Sequence, residues 1–162
     1  MLEIRATRAA DCRAILDIVE SLPEWFDEDA RLRAIPTDIK HNDGFVAVSG
    51  GDIVGFIALH VGDGRLHIGW LGVRRECHRQ GIGGRLLLAA EQKGREMGLV
   101  EIATVTLGEG VDYAPYEATR AFYRKHGFVI FQRNKTDNPN CPEEVKLSKR
   151  LVRHGLGPAM EG

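Results

Sequence analysis

The chain lacks the features that mark a membrane or secreted protein. Across its 162 residues, no apolar run approaches the ~18 residues needed to span a bilayer. The longest, from Ile53 to Leu59, has the length of a strand. No secretory apolar segment follows the amino terminus. We therefore expect a protein with no membrane partner.

Cysteine is also scarce. The three cysteines, Cys12, Cys77 and Cys141, lie far apart and form no C-x-x-C pair. An odd number at such spacing predicts neither a disulfide framework nor a zinc site. We expect a cytoplasmic protein that binds no metal.

No charge of one sign dominates the sequence. Lys and Arg number 22 and Asp and Glu 23, for a formal charge of −1. Such a balance provides no overall field that would attract nucleic acid, so no nucleic-acid partner is expected. Apolar residues at 43% and charged residues at 28% are typical of a globular domain and exclude a disordered chain.

What is present is a regular succession of strand and helix patterns. Apolar periodicity and glycine turns predict the order β-α-α-β-β-β-α-β-α-β-β, an α/β (α+β) class built on one mixed sheet. The second helix is expected over Asp27–Ile35 and should end at Pro36. With no repeat or linker in sight, we expect one domain over residues 1–154 and a flexible tail over 155–162.

The most informative stretch joins a strand ending in Leu71-Gly72-Val73 to a helix opening with Gly81-Ile82-Gly83-Gly84. The first N–H groups of a helix have no partner within it, and together with the helix dipole they form an anion site. A P-loop needs Lys and Ser or Thr after its last glycine, where this chain has Arg85-Leu86. The third glycine of the dinucleotide fingerprint is missing too. The stretch therefore predicts a phosphate site outside both nucleotide-binding signatures.

This stretch resembles the acetyl-CoA-binding motif of the GNAT acetyltransferase superfamily, which is Gln or Arg, two residues, Gly, any residue, then Gly or Ala. Here the motif is His78-Arg79-Gln80-Gly81-Ile82-Gly83, with His78 in place of Gln or Arg. A second segment, Ala121–Phe128, resembles the family's F-Y-x-x-x-G-F signature. The family often carries Asn seven residues before that Tyr, where this chain has Tyr116. The element order also matches the GNAT arrangement as far as about Leu151.

The resemblance implies a fold and an activity. The fold is the GNAT acyl-CoA N-acyltransferase fold, a mixed and mostly antiparallel sheet of about seven strands flanked by about four helices. The activity is transfer of the acetyl group of acetyl-CoA to a primary amine by direct attack in a ternary complex, with CoA as product and no metal. The acceptor is a small-molecule amine or a protein amine. Two functional alternatives stay open: another short acyl-CoA as donor, and a non-catalytic acyl-CoA-binding module. The oligomeric state, monomer or homodimer, stays open as well.

The resemblance also assigns roles to the cofactor motif. Backbone N–H groups from Gln80 through Arg85 would hold the pyrophosphate, and the Leu71–Val73 strand edge would pair with the pantetheine beside a splayed strand at Val105–Leu107. The Val73 N–H would donate to the thioester carbonyl, and Gly72 fits a bulge or a close backbone approach. The implied cofactor-binding residues are Leu71, Gly72, Val73, His78, Arg79, Gln80, Gly81, Ile82, Gly83, Gly84, Arg85, Tyr116 and Phe122.

Three residues are candidates for proton transfer. The resemblance makes Tyr123 the general acid, because a phenol of pKa ~10 is protonated at neutral pH and can give its proton to the leaving thiolate. An alkyl amine is only ~0.1% neutral at pH 7.4, so a base is expected as well. His67 is one candidate, since it shares a face with Leu71 and Val73 if no bulge intervenes. Glu101 on the next strand is the other.

Acidic residues mark the region where the acceptor usually sits in this fold. Ten residues without Lys or Arg contain five of them, namely Glu20, Glu24, Asp27, Glu28 and Asp29. An acidic mouth would favour a cationic acceptor, whereas the alternative is a solvated face whose acids complement a helix dipole. Four aromatic residues could wall a pocket there, namely Trp25, Phe26, Tyr113 and Tyr116.

Overall fold

The structure is a computed structural model that describes residues 1–108, 112–139 and 142–152. The tail expected over 155–162 and the domain boundary at 154 lie outside the described residues. Seven strands and four helices follow one another in the predicted order: β1 (Leu2–Ala6), α1 (Cys12–Glu20), α2 (Ile35–His41), β2 (Asp43–Ser49), β3 (Asp52–Gly62), β4 (Arg65–Val73), α3 (Ile82–Glu96), β5 (Glu101–Leu107), α4 (Ala114–Lys125), β6 (Val129–Lys135) and β7 (Glu143–Arg150).

The strands form one mixed sheet in the order β1-β2-β3-β4-β5-β7-β6. All neighbours are antiparallel except β4 and β5, which are parallel. The turn between β2 and β3 uses Gly50 and Gly51 at φ values of +59° and +85°, a region that favours glycine. The sheet and its four helices confirm the predicted fold class.

Each face of the sheet carries its own apolar layer, because successive side chains of a strand point to opposite faces. On the face that we call the α1 face, Ile15 and Ile18 of α1 pack with Phe56 of β3. On the opposite face, the α3 face, Leu86 and Leu87 of α3 pack with strand residues of the central sheet. Helix α4 also lies on the α3 face and contributes Tyr123 to this layer.

The second helix is longer than expected, and Pro36 does not end it. A π-helical segment, Ala30–Ala34, continues into α2, which contains Pro36 near its start. The Ile35 N–H donates to the Ala30 carbonyl, five residues back. A proline inside a regular helix collides with the carbonyl four residues earlier. The wider π turn relieves that collision, so the expectation of a stop at Pro36 was wrong.

A β-bulge in β4 lies at Gly69. Ala58 pairs with Trp70 and Leu59 pairs with Ile68, so Gly69 is left without an opposite residue. The extra residue reverses the alternation of side chains along the strand. As a result, both Ile68 and Leu71 contact the core on the α3 face, although they are three residues apart.

The bulge considered at Gly72 is therefore in a different place. Gly72 pairs regularly with Phe56 of β3. A Cβ atom at Gly72 would lie 2.8 Å from Phe56 Cε1, closer than packing allows. Glycine is required at this position by the ring of Phe56 on the α1 face.

We expect the substitution Asp11→Asn to destabilise the fold. Asp11 is 5% exposed, receives two hydrogen bonds of 2.8 and 2.9 Å from Arg5, and accepts the Arg8 N–H at 2.7 Å. Hydrogen bonds to a buried charge contribute about 1.5–3 kcal/mol, and a loss of this order should appear in urea unfolding at pH 7. Asp17→Asn, which removes an exposed partner of Arg13 in α1, should change stability by less than about 0.5 kcal/mol.

The effect of Asp11→Asn should also depend on pH. Arg5 holds the pKa of the Asp11 carboxyl below its usual range. A carboxyl with a lowered folded-state pKa stabilises the fold above its unfolded pKa of about 3.9, and this stabilisation is lost as the pH falls further. The difference between wild type and Asp11→Asn should therefore shrink below about pH 4. A difference that stays constant down to pH 2 would contradict the assignment.

Candidate active site

The site is built around a short parallel pairing. β4 and β5 pair only over Leu66–Ile68 and Ile102–Thr104. Beyond that point β4 continues to Val73 and β5 to Leu107, with no pairing between these described segments. A slot therefore opens between two strand edges, with its apex at Ile68 and Thr104. The expected splay of residues 105–107 is present.

Backbone groups of β4 face this slot. The Arg74 N–H donates to the Val54 carbonyl of β3 at 2.8 Å, so Arg74 points away from the slot. Because backbone groups alternate in direction along a strand, the N–H and carbonyl of Val73 point into it. The ring Nε2 of His78 lies 2.7 Å from the Val73 carbonyl oxygen. His78, the residue that departs from the family motif, thus engages the carbonyl and leaves the neighbouring N–H open.

The glycine-rich turn has the geometry of an anion site. Gly81 precedes α3 with φ +77°, a left-handed conformation that favours glycine. No side chain caps the helix, and its first described intrahelical bond runs from the Arg85 N–H to the Gly81 carbonyl at 3.1 Å. The N–H groups of residues 82–84 therefore point outward without an intrahelical partner. Arg79 and Arg85 are exposed beside them.

The other two glycines of the turn serve helix packing. A Cβ atom at Gly83 would lie 3.2 Å from Phe122 Cε1, and one at Gly84 would lie 3.0 Å from His126 Cε1. Helix α3 therefore approaches α4 closely only because these positions lack side chains. Of the motif glycines, Gly81 meets a conformational need, whereas Gly83 and Gly84 let α4 pack against the start of α3.

The remaining cofactor candidates occupy different environments. The Ile82 side chain is 5% exposed and belongs to the core, so only its backbone faces the turn. Gln80 is exposed, and its side-chain amide lies 3.5 Å from the Glu76 carbonyl. The Arg85 guanidinium donates to the Leu2 carbonyl at 3.3 Å. The Phe122 ring lies 4.6 Å from that of His126, measured between centroids and tilted by 56°, and it packs on Gly83.

Tyr123 reaches the apex of the slot. Its side chain is 4% exposed, and its ring lies 5.2 Å from those of Phe122 and Phe128. Thr104, the last β5 residue that pairs with β4, lies near enough to the hydroxyl to lower its pKa. Burial outweighs this effect and raises the pKa of Tyr123 to about 12. The phenol is therefore protonated at neutral pH.

The two base candidates are less well placed. His67 does not share a face with Leu71 and Val73, because the bulge at Gly69 intervenes and puts His67 on the α1 face. Its Nε2 lies 2.9 Å from the Gly62 carbonyl, and its ring stacks on His60 at 5.0 Å. Glu101 forms an ion pair with Arg65 at the start of the two strands, three residues or about 10 Å before the apex. The structure does not bring Glu101 to the slot.

A segment that follows α1, Ser21–Phe26, joins the start of α4 to the loop after β4, and we call it the strap. On one side, the Tyr113 hydroxyl donates to the Glu24 carbonyl and the Tyr116 hydroxyl to the Trp25 carbonyl, both at 2.9 Å. The Trp25 indole N–H donates to the Pro115 carbonyl at 3.0 Å. These bonds tie the strap to the start of α4.

The same strap is bound to the loop after β4. Arg75 forms an ion pair with Glu24 at 2.6 Å and donates to the Ser21 carbonyl at 3.1 Å. The ring of Trp25 meets that of His78 edge-on at 5.6 Å. The sequence singled out the aromatic residues but not these contacts, which join positions up to about 90 residues apart. Tyr116, expected at the cofactor, has its hydroxyl engaged with the strap.

Most of the acidic cluster is engaged with other groups of the protein. Glu24 pairs with Arg75, which holds the pKa of that carboxyl below its usual range. Asp27 accepts the Ala30 N–H at 2.8 Å, and Asp29 pairs with Arg33 at 2.9 Å. These partners favour the alternative, a solvated face whose acids complement a helix dipole, over an acidic mouth for a cationic acceptor.

Two further properties concern the described residues alone. They contain no group of three or more His, Cys, Asp or Glu arranged to hold a metal ion. Nor do they include a helix with the length and apolar character required to cross a bilayer.

Comparison with known proteins identifies the family. The sequence model of the acetyltransferase (GNAT) family matches residues 12–128, which is well over half of the chain, so the chain belongs to this family. No curated protein matches the chain by sequence.

Solved structures share the fold at low sequence identity. A protein assigned to the GNAT acetyltransferases from Desulfovibrio desulfuricans has a TM-score of 0.80 and 19% identity, covering 94% of this chain and 100% of its own. The ribosomal-protein-S18-alanine N-acetyltransferase from Escherichia coli has a TM-score of 0.74 and 14% identity, and the match covers 97% of this chain and 99% of that protein. A GNAT family acetyltransferase from Elizabethkingia anophelis with acetyl-CoA bound has a TM-score of 0.72 and 18% identity, and the match covers 93% of this chain and 98% of that protein.

We expect Tyr113→Phe and Tyr116→Phe each to loosen the strap. Each change removes a hydroxyl bond to the strap backbone, worth about 0.5–1.5 kcal/mol. Amide hydrogen exchange over residues 22–26 should therefore become about 2- to 12-fold faster in each variant. The amides of β1 and β2 provide the internal control and should be unaffected. Strap exchange at the wild-type rate in both variants would show that these bonds do not hold it.

Proposed function

We propose that the chain is an N-acetyltransferase that moves the acetyl group of acetyl-CoA to a primary amine by direct attack in a ternary complex. The observation that carries this proposal is the slot between β4 and β5. The buried phenol of Tyr123 lies at the apex of this slot. One wall of the slot is β4, and the chain runs from β4 to the open N-terminus of α3. Membership of the GNAT family and the fold shared with an acetyl-CoA-bound relative support it.

In this proposal the turn before α3 holds the cofactor's pyrophosphate. The outward N–H groups of residues 82–84 supply hydrogen bonds aligned with the helix dipole. Arg79 and Arg85 add positive charge at the rim. The edge of β4 from Leu71 to Val73 pairs with the pantetheine as an added strand would.

The Val73 N–H is the proposed donor to the thioester carbonyl. The carbonyl oxygen gains negative charge as the amine attacks, and a fixed donor at that oxygen stabilises the transition state more than the ground state. The contact between His78 and the Val73 carbonyl fixes the local strand edge while leaving this N–H available.

Tyr123 is the proposed general acid. As the amine nitrogen bonds to the carbonyl carbon, the carbon–sulfur bond breaks and its electron pair stays on sulfur. Tyr123 gives its hydroxyl proton to that sulfur, and CoA leaves as the thiol. The raised pKa keeps the proton in place until the thiolate forms.

His67 is the proposed base, acting through water. Most of an alkyl amine is protonated at neutral pH, so the acceptor must lose a proton before it attacks. His67 lies on the α1 face, one residue before the apex pair, and the strap approaches the slot from the same face. Glu101 is held by Arg65 away from the slot and does not fit this role.

The acceptor is a small-molecule or protein amine that approaches beside the strap. A different short acyl-CoA donor is compatible with the same site. A non-catalytic acyl-CoA-binding module is the alternative of another class, and the buried phenol at the apex favours catalysis over it.

Binding of acetyl-CoA is tested by thermal shift. Acetyl-CoA and CoA should raise the melting temperature, by an amount equivalent to about 2.7 kcal/mol at a hundredfold excess over Kd, whereas NAD should not. Gly81→Ala and Gly50→Ala both place a side chain in a left-handed conformation with open space around it, and should cost a similar 1–2 kcal/mol. Only Gly81→Ala should weaken acetyl-CoA binding, by about tenfold. No shift with millimolar acetyl-CoA would refute the proposal.

The acid role is tested by Tyr123→Phe. Removing the hydroxyl should lower kcat about 100-fold or more, the usual contribution of a general acid, with the Kd of acetyl-CoA within about twofold of wild type. Tyr113→Phe removes a hydroxyl outside the slot and should retain kcat within about threefold. Unchanged turnover in Tyr123→Phe would exclude the assignment.

A further inference from the structure

Side chains cap main-chain carbonyls on both walls of the slot. At the end of β4, His78 Nε2 lies 2.7 Å from the Val73 carbonyl oxygen. At the end of β5, Arg120 of α4 donates through one nitrogen, Nη1, to the Leu107 carbonyl at 2.8 Å and to the Gly108 carbonyl at 3.0 Å. Arg120 is only 3% exposed. Burying a guanidinium is costly unless its N–H groups are hydrogen-bonded, and these two carbonyls supply such bonds.

The Leu107 carbonyl belongs to the edge of β5 that faces the slot. The Gly108 N–H donates to the Glu143 carbonyl at 2.9 Å, which continues the antiparallel register of β5 with β7. Because backbone groups alternate in direction along a strand, the N–H and carbonyl of Leu107 point away from β7 and toward β4. Arg120 therefore binds an edge group that a longer pairing of β4 with β5 would use.

The strand register identifies the partner that this carbonyl would have in a longer pairing. β4 and β5 stop pairing at Ile68 and Thr104, and the bulge just beyond adds one residue to β4. Counted from these two residues with the bulge included, Gly72 is level with Leu107. In a parallel ladder, a carbonyl accepts the N–H of the residue that follows its level partner. The Leu107 carbonyl would thus accept the N–H of Val73.

The shared nitrogen shows how the end of β5 is held away from β4. Successive carbonyls of a regular strand point in opposite directions. One nitrogen can therefore bond the carbonyls of both Leu107 and Gly108 only where the backbone turns out of the strand, and β5 ends at Leu107. Arg120 thus draws the end of this wall toward α4.

We propose that Arg120 is a positioning residue that keeps the Val73 N–H free. By holding the Leu107 carbonyl, it removes the acceptor with which this N–H would otherwise pair and close the slot. The inference rests on the proposed function, in which the Val73 N–H donates to the thioester carbonyl. It adds to that function a residue that belongs to neither of the two sequence motifs.

The place of Arg120 on α4 connects this cap to the proposed acid. Arg120 and Tyr123 are three residues apart, so they lie on the same face of the helix. Tyr123 reaches the apex of the slot, and Arg120 reaches the end of β5. A single helix therefore positions both the proton donor and the far end of one wall.

Amide hydrogen exchange tests the cap directly and needs no ligand. In the wild type, the Val73 N–H faces the slot and should exchange with little protection. Arg120→Met removes the donors and keeps a long side chain, so the Leu107 carbonyl becomes available to Val73. The Val73 amide should then exchange at least tenfold more slowly. An unchanged or faster Val73 exchange in this variant would overturn the inference.

Three further variants complete this test. Arg5→Met removes an arginine that binds Asp11 in β1, three strands from β4, and should lower stability without slowing Val73 exchange. Arg120→Lys keeps a cation that can donate to the Leu107 carbonyl and should exchange within about threefold of wild type. Arg120→Gln is too short to span the same distance, should slow Val73 exchange, and is used if Arg120→Met does not fold. Slower exchange in Arg5→Met as well would assign the effect to lost stability and overturn the inference.

Cofactor binding tests the role in the proposed function. Calorimetric titration with acetyl-CoA should give a Kd about tenfold higher for Arg120→Met, because the Val73 N–H must first be released from Leu107. Arg120→Lys and Arg5→Met should bind within about threefold of wild type. A Kd raised equally in Arg5→Met would show that lost stability, not the cap, weakens binding.

The outcomes separate this inference from the function on which it rests. Slower Val73 exchange in Arg120→Met, together with a Kd for acetyl-CoA within about twofold of wild type, would overturn the positioning role. If millimolar acetyl-CoA does not bind the wild type, the proposed function fails. The exchange measurements still decide in that case whether Arg120 keeps the Val73 N–H free.

Discussion

The site depends on the short length of the pairing between β4 and β5. β4 and β5 share three residue pairs and then separate, so the backbone groups on their facing edges lose sheet partners inside the molecule. Such groups are costly to leave unpaired. In the proposed function, an extended, amide-bearing ligand bonds along this edge as an added strand would. The bulge at Gly69 lies just beyond the apex and fixes which β4 side chains face the core on each side of it.

The two sequence motifs are in physical contact. Gly83 of the first packs under the ring of Phe122 of the second, and Gly84 packs under His126. Because neither position has a side chain, α4 lies close to the start of α3. This proximity sets where the next residue, Tyr123, can reach. The glycine stretch Gly81–Gly84 therefore has two effects. It leaves the N-terminus of α3 open to solvent, and through the packing of Phe122 it places the Tyr123 phenol at the apex of the slot.

The sequence was sufficient for features set by local pattern and insufficient for those set by register and distance. Element order, the glycine turns and the splay follow from periodicity and the family motifs. Gly72 was expected to mark a bulge or a close approach; it lies close to the ring of Phe56, and the bulge is at Gly69, because strand register decides its position. Pro36 is accommodated by a π turn that the local sequence pattern does not predict. The partners of Trp25 are some 50 to 90 residues away.

The strap has a consequence for how this protein can diverge. Tyr113 and Tyr116 bond to the main-chain carbonyls of residues 24 and 25, not to their side chains. Every amino acid presents the same carbonyl, so substitutions at these two positions leave both anchors intact. Glu24 and Trp25 also hold the strap through their side chains, to Arg75 and to the Pro115 carbonyl. A substitution at either position therefore loses one attachment while the two carbonyl anchors remain, so divergence at these positions need not detach the strap from α4.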